Sequence, residues 1–424
     1  MIALYSILGR LCFVLLALVA AGLPGCAARG RPGLPPAMVG VAVPPQLASY
    51  IMLMERDGER NWVLHLNELA VAAMRMGERD LAKRALDESI LNIEAVFGST
   101  PGAGRARTLF FNEDIKLFKG ESHERCMAFL YRGILYMQDG DWQNARASFR
   151  SGALQDAFAE EQQDQADWAI FDYLIAVCET RLGNPLAAQE AFARAAANNA
   201  AFPAKYAAAT GIALQPGSLW IPALPAVENN ILVIAGVGGA PIKARRGKYG
   251  EGLGYNRGSG EAPPPYASLC GQQSVWMPMM DSVFFQATTR GGRPFDSVQK
   301  KKVIFKDATA GVGAVAVYTG AAVLAGSGNS DTAAAGGAII LAGLLFLLFS
   351  QLTATKADVR QWQSIPDSLS VYTATACYGP QNVAVILPDG STAAGLVNLP
   401  RPGDGLSVVL VFPGQGAVLI APPQ

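Results

Sequence analysis

The sequence predicts an α+β fold: an N-terminal stack of α-helical repeats, an apolar helical hairpin and a small C-terminal β-rich, sandwich-like module. Three observations support it. From Tyr50 to about residue 212, apolar residues recur every three or four positions, with glycines at regular turns. Residues 310–352 are almost uncharged and are divided by a polar turn. Runs such as 231–235, 383–387 and 406–412 are short and apolar and bounded by turn-forming residues, as strands are. In chain order this gives a signal peptide (1–25), a Pro/Gly tether (26–48), helical repeats (49–212), a mixed strand and loop region (213–305), the hairpin (306–355) and the β-rich module (356–424).

Composition narrows the function classes. A chain of 424 residues has room for two to three domains. With 34 Lys+Arg against 34 Asp+Glu there is no net charge to draw it to nucleic acid, and no nucleic-acid partner is expected. Hydrophobic residues make up 51% and charged residues 16%, which excludes a disordered polyelectrolyte and points toward membrane contact. Two histidines and six cysteines leave little material for a metal cluster or a histidine-based enzyme. No catalytic or metal-binding residue is therefore assigned.

The first element is an address. Arg10 precedes an apolar run from Leu11 to Ala21, too short to span a bilayer but fitting the core of a secretory signal. It ends in Leu23-Pro24-Gly25-Cys26, which resembles the bacterial lipobox, with Pro24 departing from the usual small residue. The resemblance implies a covalent lipid on Cys26, the only attached group expected. An ordinary cleaved signal, or an anchor with an incidental cysteine, is the alternative. A processed lipoprotein carries more than one acyl chain, so its anchoring is stable. Ala27 follows the cysteine; by similarity to enterobacterial sorting this implies an outer-membrane protein facing the periplasm, with the inner membrane as alternative. Residues 27–46, rich in Pro and Gly, form the tether.

The repeats align on Gly77, Gly140 and Gly183. Around them stand Ala70 and Ala82 in the first repeat, Gly133, Ala145 and Phe149 in the second, and Ala176, Ala188 and Phe192 in the third. Small residues let paired helices approach, and large ones plug the gap to the next pair. This spacing resembles the tetratricopeptide pattern; a non-repeating helical bundle is the alternative. The resemblance implies a groove lined by the first helix of each pair. Carried over, its lining is Leu64, Asn67, Val71 and Arg75, then Met127, Leu130, Ile134 and Gln138, then Ile170, Tyr173, Val177 and Arg181. The partner site is assigned to Asn67, Arg75, Met127, Leu130, Ile134, Gln138, Tyr173 and Arg181, with the two arginines holding a ligand carboxylate. Replacing both arginines is expected to abolish partner binding and leave folding unchanged. The competing reading is that flanking segments of the chain itself cover these positions.

Two further stretches, Phe118-Lys119-Gly120-Glu121-Ser122-His123-Glu124-Arg125 and Ala357-Asp358-Val359-Arg360-Gln361-Trp362 followed by Pro366, resemble a functionally uncharacterised bacterial family of tetratricopeptide-repeat lipoproteins. The similarity covers roughly residues 50–400 and is densest at these stretches. It implies an envelope location and repeats followed by a β-rich part. It implies no activity. The chain departs from that family in the apolar stretch before Ala357.

Within 306–355, the run 333–352 would be about 30 Å long as a helix, enough to span a bilayer. Gly313 with Gly320, and Gly336 with Gly343, fall on one face of each helix and suit close helix packing. Membrane insertion and burial within a protein domain are both open. In the β-rich part, Asp389-Gly390 marks a hairpin turn. Cys126 and Cys178 fall about 13 Å apart along neighbouring helices, too far to bridge, and whether Cys270 bonds Cys377 is left open by the sequence.

Apparent chemical motifs fail on context. Gly236-Val237-Gly238-Gly239 is followed by Pro241 where a nucleotide loop needs a helix. Ser297 and Lys300 have the Ser-x-x-Lys spacing without its partner motifs. Lys243-Ala244-Arg245-Arg246-Gly247-Lys248 reads as a solvated basic loop, or else as a contact to anionic lipid or glycan. The expected function is a non-enzymatic, lipid-anchored envelope scaffold or adaptor that binds an envelope protein or peptide through the groove and membrane lipid through Cys26. The alternatives are a membrane component acting through 310–352, or a cell-wall or glycan-active enzyme using carboxylates in 230–300.

Overall fold

The computed structural model describes residues 33–97, 117–157, 167–210, 213–214, 221–289, 310–352 and 357–422, except 249, 251, 259–262, 272, 313, 327–329 and 415–417 within them. The protein is mixed α/β. Its N-terminal part is helical: α1 (Ala48–Asp57), α2 (Trp62–Arg75), α3 (Arg79–Phe97), α4 (Ser122–Gln138), α5 (Trp142–Ala157), α6 (Ala169–Arg181) and α7 (Pro185–Thr210). The pairs α2/α3, α4/α5 and α6/α7 form three hairpins stacked in sequence order.

The glycines that set the repeat register do the same work at each turn. Gly77, Gly140 and Gly183 have φ of +79°, +75° and +76°, the left-handed region where a side chain is strained. The next residue's N–H closes back onto the helix in all three: Glu78 to Ala73, Asp141 to Tyr136 and Asn184 to Glu179. Small residues then fix the helix spacing. A Cβ at Gly133 would lie 2.3 Å from Phe149 Cε1, and one at Gly152 would lie 2.5 Å from Phe171 Cε1.

Behind the helices lies a five-stranded sheet in the order β11-β10-β1-β7-β6. Its strands are β1 (Ile231–Val237), β6 (Met279–Ser282), β7 (Ser368–Ala374), β10 (Ser407–Phe412) and β11 (Val418–Ile420). β1 is central, parallel to β10 and antiparallel to β7. Alternation assigns its two faces. Leu232, Ile234, Val408, Leu410 and Phe412 join the helical core, whereas Ile231, Val233, Val409 and Val411 face a second sheet. That second sheet, β5-β4-β8-β9, is antiparallel: β4 (Tyr266–Leu269), β5 (Val275–Trp276), β8 (Gly379–Ile386) and β9 (Thr392–Leu399). A two-stranded ribbon, β2 (Ile242–Arg246) with β3 (Gly252–Asn256), and a short helix α8 (Val283–Thr289) complete this half.

Three expectations change. The regions 213–305 and 356–424 are interleaved, because β1 and β6 share a sheet with β7, β10 and β11, and β4 pairs with β8. Their strands fill one core, so no boundary separates a β-rich module at 356–424. The sheet also packs directly on the helical layer, which the sequence placed apart. Finally, among the described residues no helix is long and apolar enough to cross a membrane, against the spanning reading of 333–352.

The hairpin itself is present. Helix α9 (310–325) and α10 (Ser330–Leu352) pack at glycine: a Cβ at Gly320 would meet Gly336 O at 2.8 Å, and one at Gly336 would meet Gly320 O at 2.9 Å. Gly343 is buried too; Gly313 lies outside the described residues. The Asp389-Gly390 turn joins β8 to β9, with Gly390 at φ +81° and the Asp389 carboxylate accepting from Ser391 N–H at 2.9 Å. Cys270 and Cys377 form a disulfide with a Cα–Cα distance of 6.4 Å, and Cys126 and Cys178 are buried thiols outside any disulfide, Cys126 Sγ donating to Gly152 O at 3.3 Å.

Candidate functional site

The groove residues do come together, and the chain's own sheet fills the space they line. Met127, Leu130 and Ile134 on α4 are fully buried in the core shared with the sheet. Gln138 at the end of α4 donates to Val408 O at 2.9 Å and Ile420 O at 3.2 Å, and accepts from Arg79. Arg75 at the end of α2 donates to Pro413 O and lies 5.5 Å from the Phe412 ring. On α6, Tyr173 OH donates to Ala223 O at 3.4 Å and Arg181 donates to Val227 O at 2.9 Å. Asn67 is turned into the helical layer, where it accepts from Ser89 Oγ at 2.7 Å.

This corrects the assignment of these eight residues to an external partner. Arg75, Gln138, Tyr173 and Arg181 donate to backbone carbonyls of Pro413, β10, β11, Ala223 and Val227, and the apolar floor seats β10. Burial holds both Arg75 and Arg181 below the ordinary guanidinium range and pushes the Tyr173 phenol well up. Uncharged carbonyls accept from both arginines where a ligand carboxylate was expected, and the buried Arg75 Nε has no hydrogen-bond partner. Replacing both is accordingly not neutral toward folding. The alternative reading, cover by the chain's own segments, describes the structure.

A second constellation was not assigned from sequence. The stretches 118–125 and 357–366, singled out for their family resemblance, meet at a buried ion pair. Glu124, near the start of α4, is 2.6 Å from Lys243 Nζ on β2, with side chains 1% and 2% exposed. Glu124 also accepts from Trp362 N–H at 2.7 Å and Glu121 N–H at 2.6 Å. Lys243 donates further to Arg360 O at 2.7 Å, and Gln361 Oε1 accepts from the Lys243 N–H at 2.6 Å. The Phe118 ring lies between two cations, 5.3 Å from Lys243 Nζ and 5.4 Å from the Arg360 guanidinium. Arg360 pairs with Asp358 at 2.7 Å and donates to Asn61 Oδ1. Beside it, Glu68 on α2 accepts from Gln363 N–H and Ser364 Oγ, each at 2.6 Å; burial raises its pKa.

Chemically this is a clasp. Both oxygens of Glu124 are engaged by protein donors, so the pair fastens 357–364 and β2 to the helices. Lys243 belonged to the run read as a solvated loop; it is buried under 357–361 by its contacts to Glu124 and Arg360 O, while Arg245, Arg246 and Lys248 are exposed.

Other candidates resolve locally. His65 Nε2 lies 2.8 Å from Asp57 Oδ2, and His123 packs edge-on to Tyr255. Among the described residues no group of His, Cys, Asp and Glu is arranged to hold a metal. A surface recess of about 250 Å³ is lined by Arg150, Asp156, Trp168, Asp172 and Arg194. In it Arg194 pairs with Asp172 at 2.8 Å, Arg150 reaches out to Glu179 at 3.0 Å, and Asp156 accepts from Trp168 Nε1 at 3.2 Å. Cys26, Ser297 and Lys300 lie outside the described residues. Comparison with protein-family models, with curated proteins and with solved structures finds no match for this chain.

Proposed function

We propose that this chain is a lipid-anchored scaffold of the bacterial cell envelope, without catalytic chemistry, belonging with the tetratricopeptide-repeat lipoproteins its motifs resemble. The observation that carries the reading is the Cys270–Cys377 pair, 107 residues apart in sequence. Such a bond persists in an oxidising compartment, and rarely in a reducing one. With the lipobox at Cys26, it supports export and anchoring through a lipid on that cysteine, facing the periplasm from the outer membrane, with the inner membrane as the alternative.

The helical layer acts as a cradle for the chain's own sheet. A protein partner therefore meets an outer surface of the combined body or displaces the sheet. Labelled palmitate fed to intact cells should enter the wild-type chain and not Cys26→Ala, and photo-crosslinking from exposed positions should recover an envelope protein. Absence of label from the wild type would overturn the anchor. Turnover of peptidoglycan or glycan by the purified chain would overturn the non-catalytic reading in favour of an enzyme.

A further inference from the structure

The hairpin α9/α10 is out of keeping with the rest of the protein. Between Asp307 and Lys356 the only charged residue is Asp331, beside the turn between the two helices. The helices bury glycine against each other, Gly320 against Gly336. Large apolar side chains are left in the open: Tyr318 is 79% exposed, Val315 66%, Leu344 50% and Phe346 41%. Exposed apolar area of this kind marks a protein or membrane contact.

The distribution of those side chains selects between the two. A helix that docks in a protein groove keeps one polar face toward water, and α10 has none over 335–347. Among the described residues, the exposed side chains of the pair are apolar apart from Thr319, Thr332 and the Tyr318 hydroxyl, which suits apolar surroundings. Charge at the foot of the hairpin agrees. Ala357, just past α10, is tied to the β2–β3 turn by its N–H to Gly250 O at 2.8 Å and by Arg245 Nε donating to its carbonyl at 3.1 Å. This turn exposes Arg245, Arg246 and Lys248. A basic foot below an apolar shaft matches anionic headgroups above acyl chains.

We infer that α9/α10 is a lipid-binding hairpin that buries its exposed apolar side chains in an anionic bilayer, with the β2–β3 turn at the headgroups. It enters the membrane from one side and gives the protein a second attachment, independent of acylation at Cys26. The inference goes beyond the scaffold reading and does not depend on it.

The test uses the full chain reconstituted into phosphatidylethanolamine–phosphatidylglycerol vesicles that contain a lipid with a photoreactive acyl chain. Peptides spanning 310–347 should be labelled, separately from any label near Cys26. Single cysteines at Val315→Cys, Tyr318→Cys and Leu344→Cys should be shielded from a membrane-impermeant maleimide. Tyr318→Asp with Leu344→Asp should lose the hairpin label while melting stays unchanged, because neither side chain supports the folded body. Equal labelling in phosphatidylcholine vesicles would overturn the assignment to an anionic surface. Full maleimide reactivity would overturn lipid burial. Shielding without acyl label, accompanied by crosslinks between two chains, would give the hairpin to a second copy and overturn the proposal as well.

Discussion

Two residues carry most of the electrostatic risk in this protein. Glu124 and Lys243 are withdrawn from water together, 2.6 Å apart. Removing one leaves a buried charge without its counterion, which costs about 3–5 kcal/mol, whereas replacing both by apolar groups of similar size is far milder. Glu124→Gln and Lys243→Met should each lower the urea midpoint strongly, and the double variant Glu124→Leu with Lys243→Met should recover much of the loss. Equal, additive losses would show that the pair is solvated. His65 sets a pH dependence. Burial lowers the pKa of its imidazole despite the neighbouring Asp57 carboxylate. Just below the ordinary histidine value of about 6.5 the folded protein therefore binds fewer protons than the unfolded chain. Stability is fully present above that value and is lost as pH falls through the lowered folded value. Urea midpoints of wild type and His65→Gln, compared between about pH 7 and about pH 5, should show a steeper fall for wild type; parallel lines would contradict the assignment.

Among elements, the helical hairpins were the most legible in sequence, because their determinants are local. Gly77, Gly140 and Gly183 sit where a left-handed cap is required, and Gly133 sits where Phe149 fills the space of a side chain. Gly133→Ala should cost about 1–3 kcal/mol by overpacking, with partial recovery in Gly133→Ala plus Phe149→Leu; thermal melts of the three proteins decide it. A gain in stability on Gly133→Ala would contradict the close approach. Strands β1, β8 and β10 were also legible as apolar runs. Their partners were not, since β1 reaches β10 across some 170 residues and no local pattern specifies a parallel pairing of that separation. β4, β5 and β6 were missed because they hold between two and four residues each, in Pro- and Gly-broken sequence. The same limit hid the clasp: Lys243 looks like its exposed neighbours, and its partners Glu124 and Arg360 lie more than 110 residues away in sequence.

At the scale of the whole molecule, a layer of helical hairpins is closed by a sheet from the same chain, and that sheet is backed by a second one. Groove positions could be read from the repeat register, but their occupant could not, because Pro413 and Val408 lie more than 260 residues beyond their partners Arg75 and Gln138. This intramolecular closure leaves a partner of the proposed scaffold the outer surface of the combined body, or displacement of the sheet. Tyr131 of α4 and Phe412 of β10 test it most directly, with ring centroids 5.5 Å apart across the junction. A double-mutant cycle of Tyr131→Ala and Phe412→Ala, read by urea unfolding, should give a coupling of about 0.5–1.5 kcal/mol. Additivity within about 0.3 kcal/mol, the behaviour of independent sites, would contradict a sheet seated in the groove.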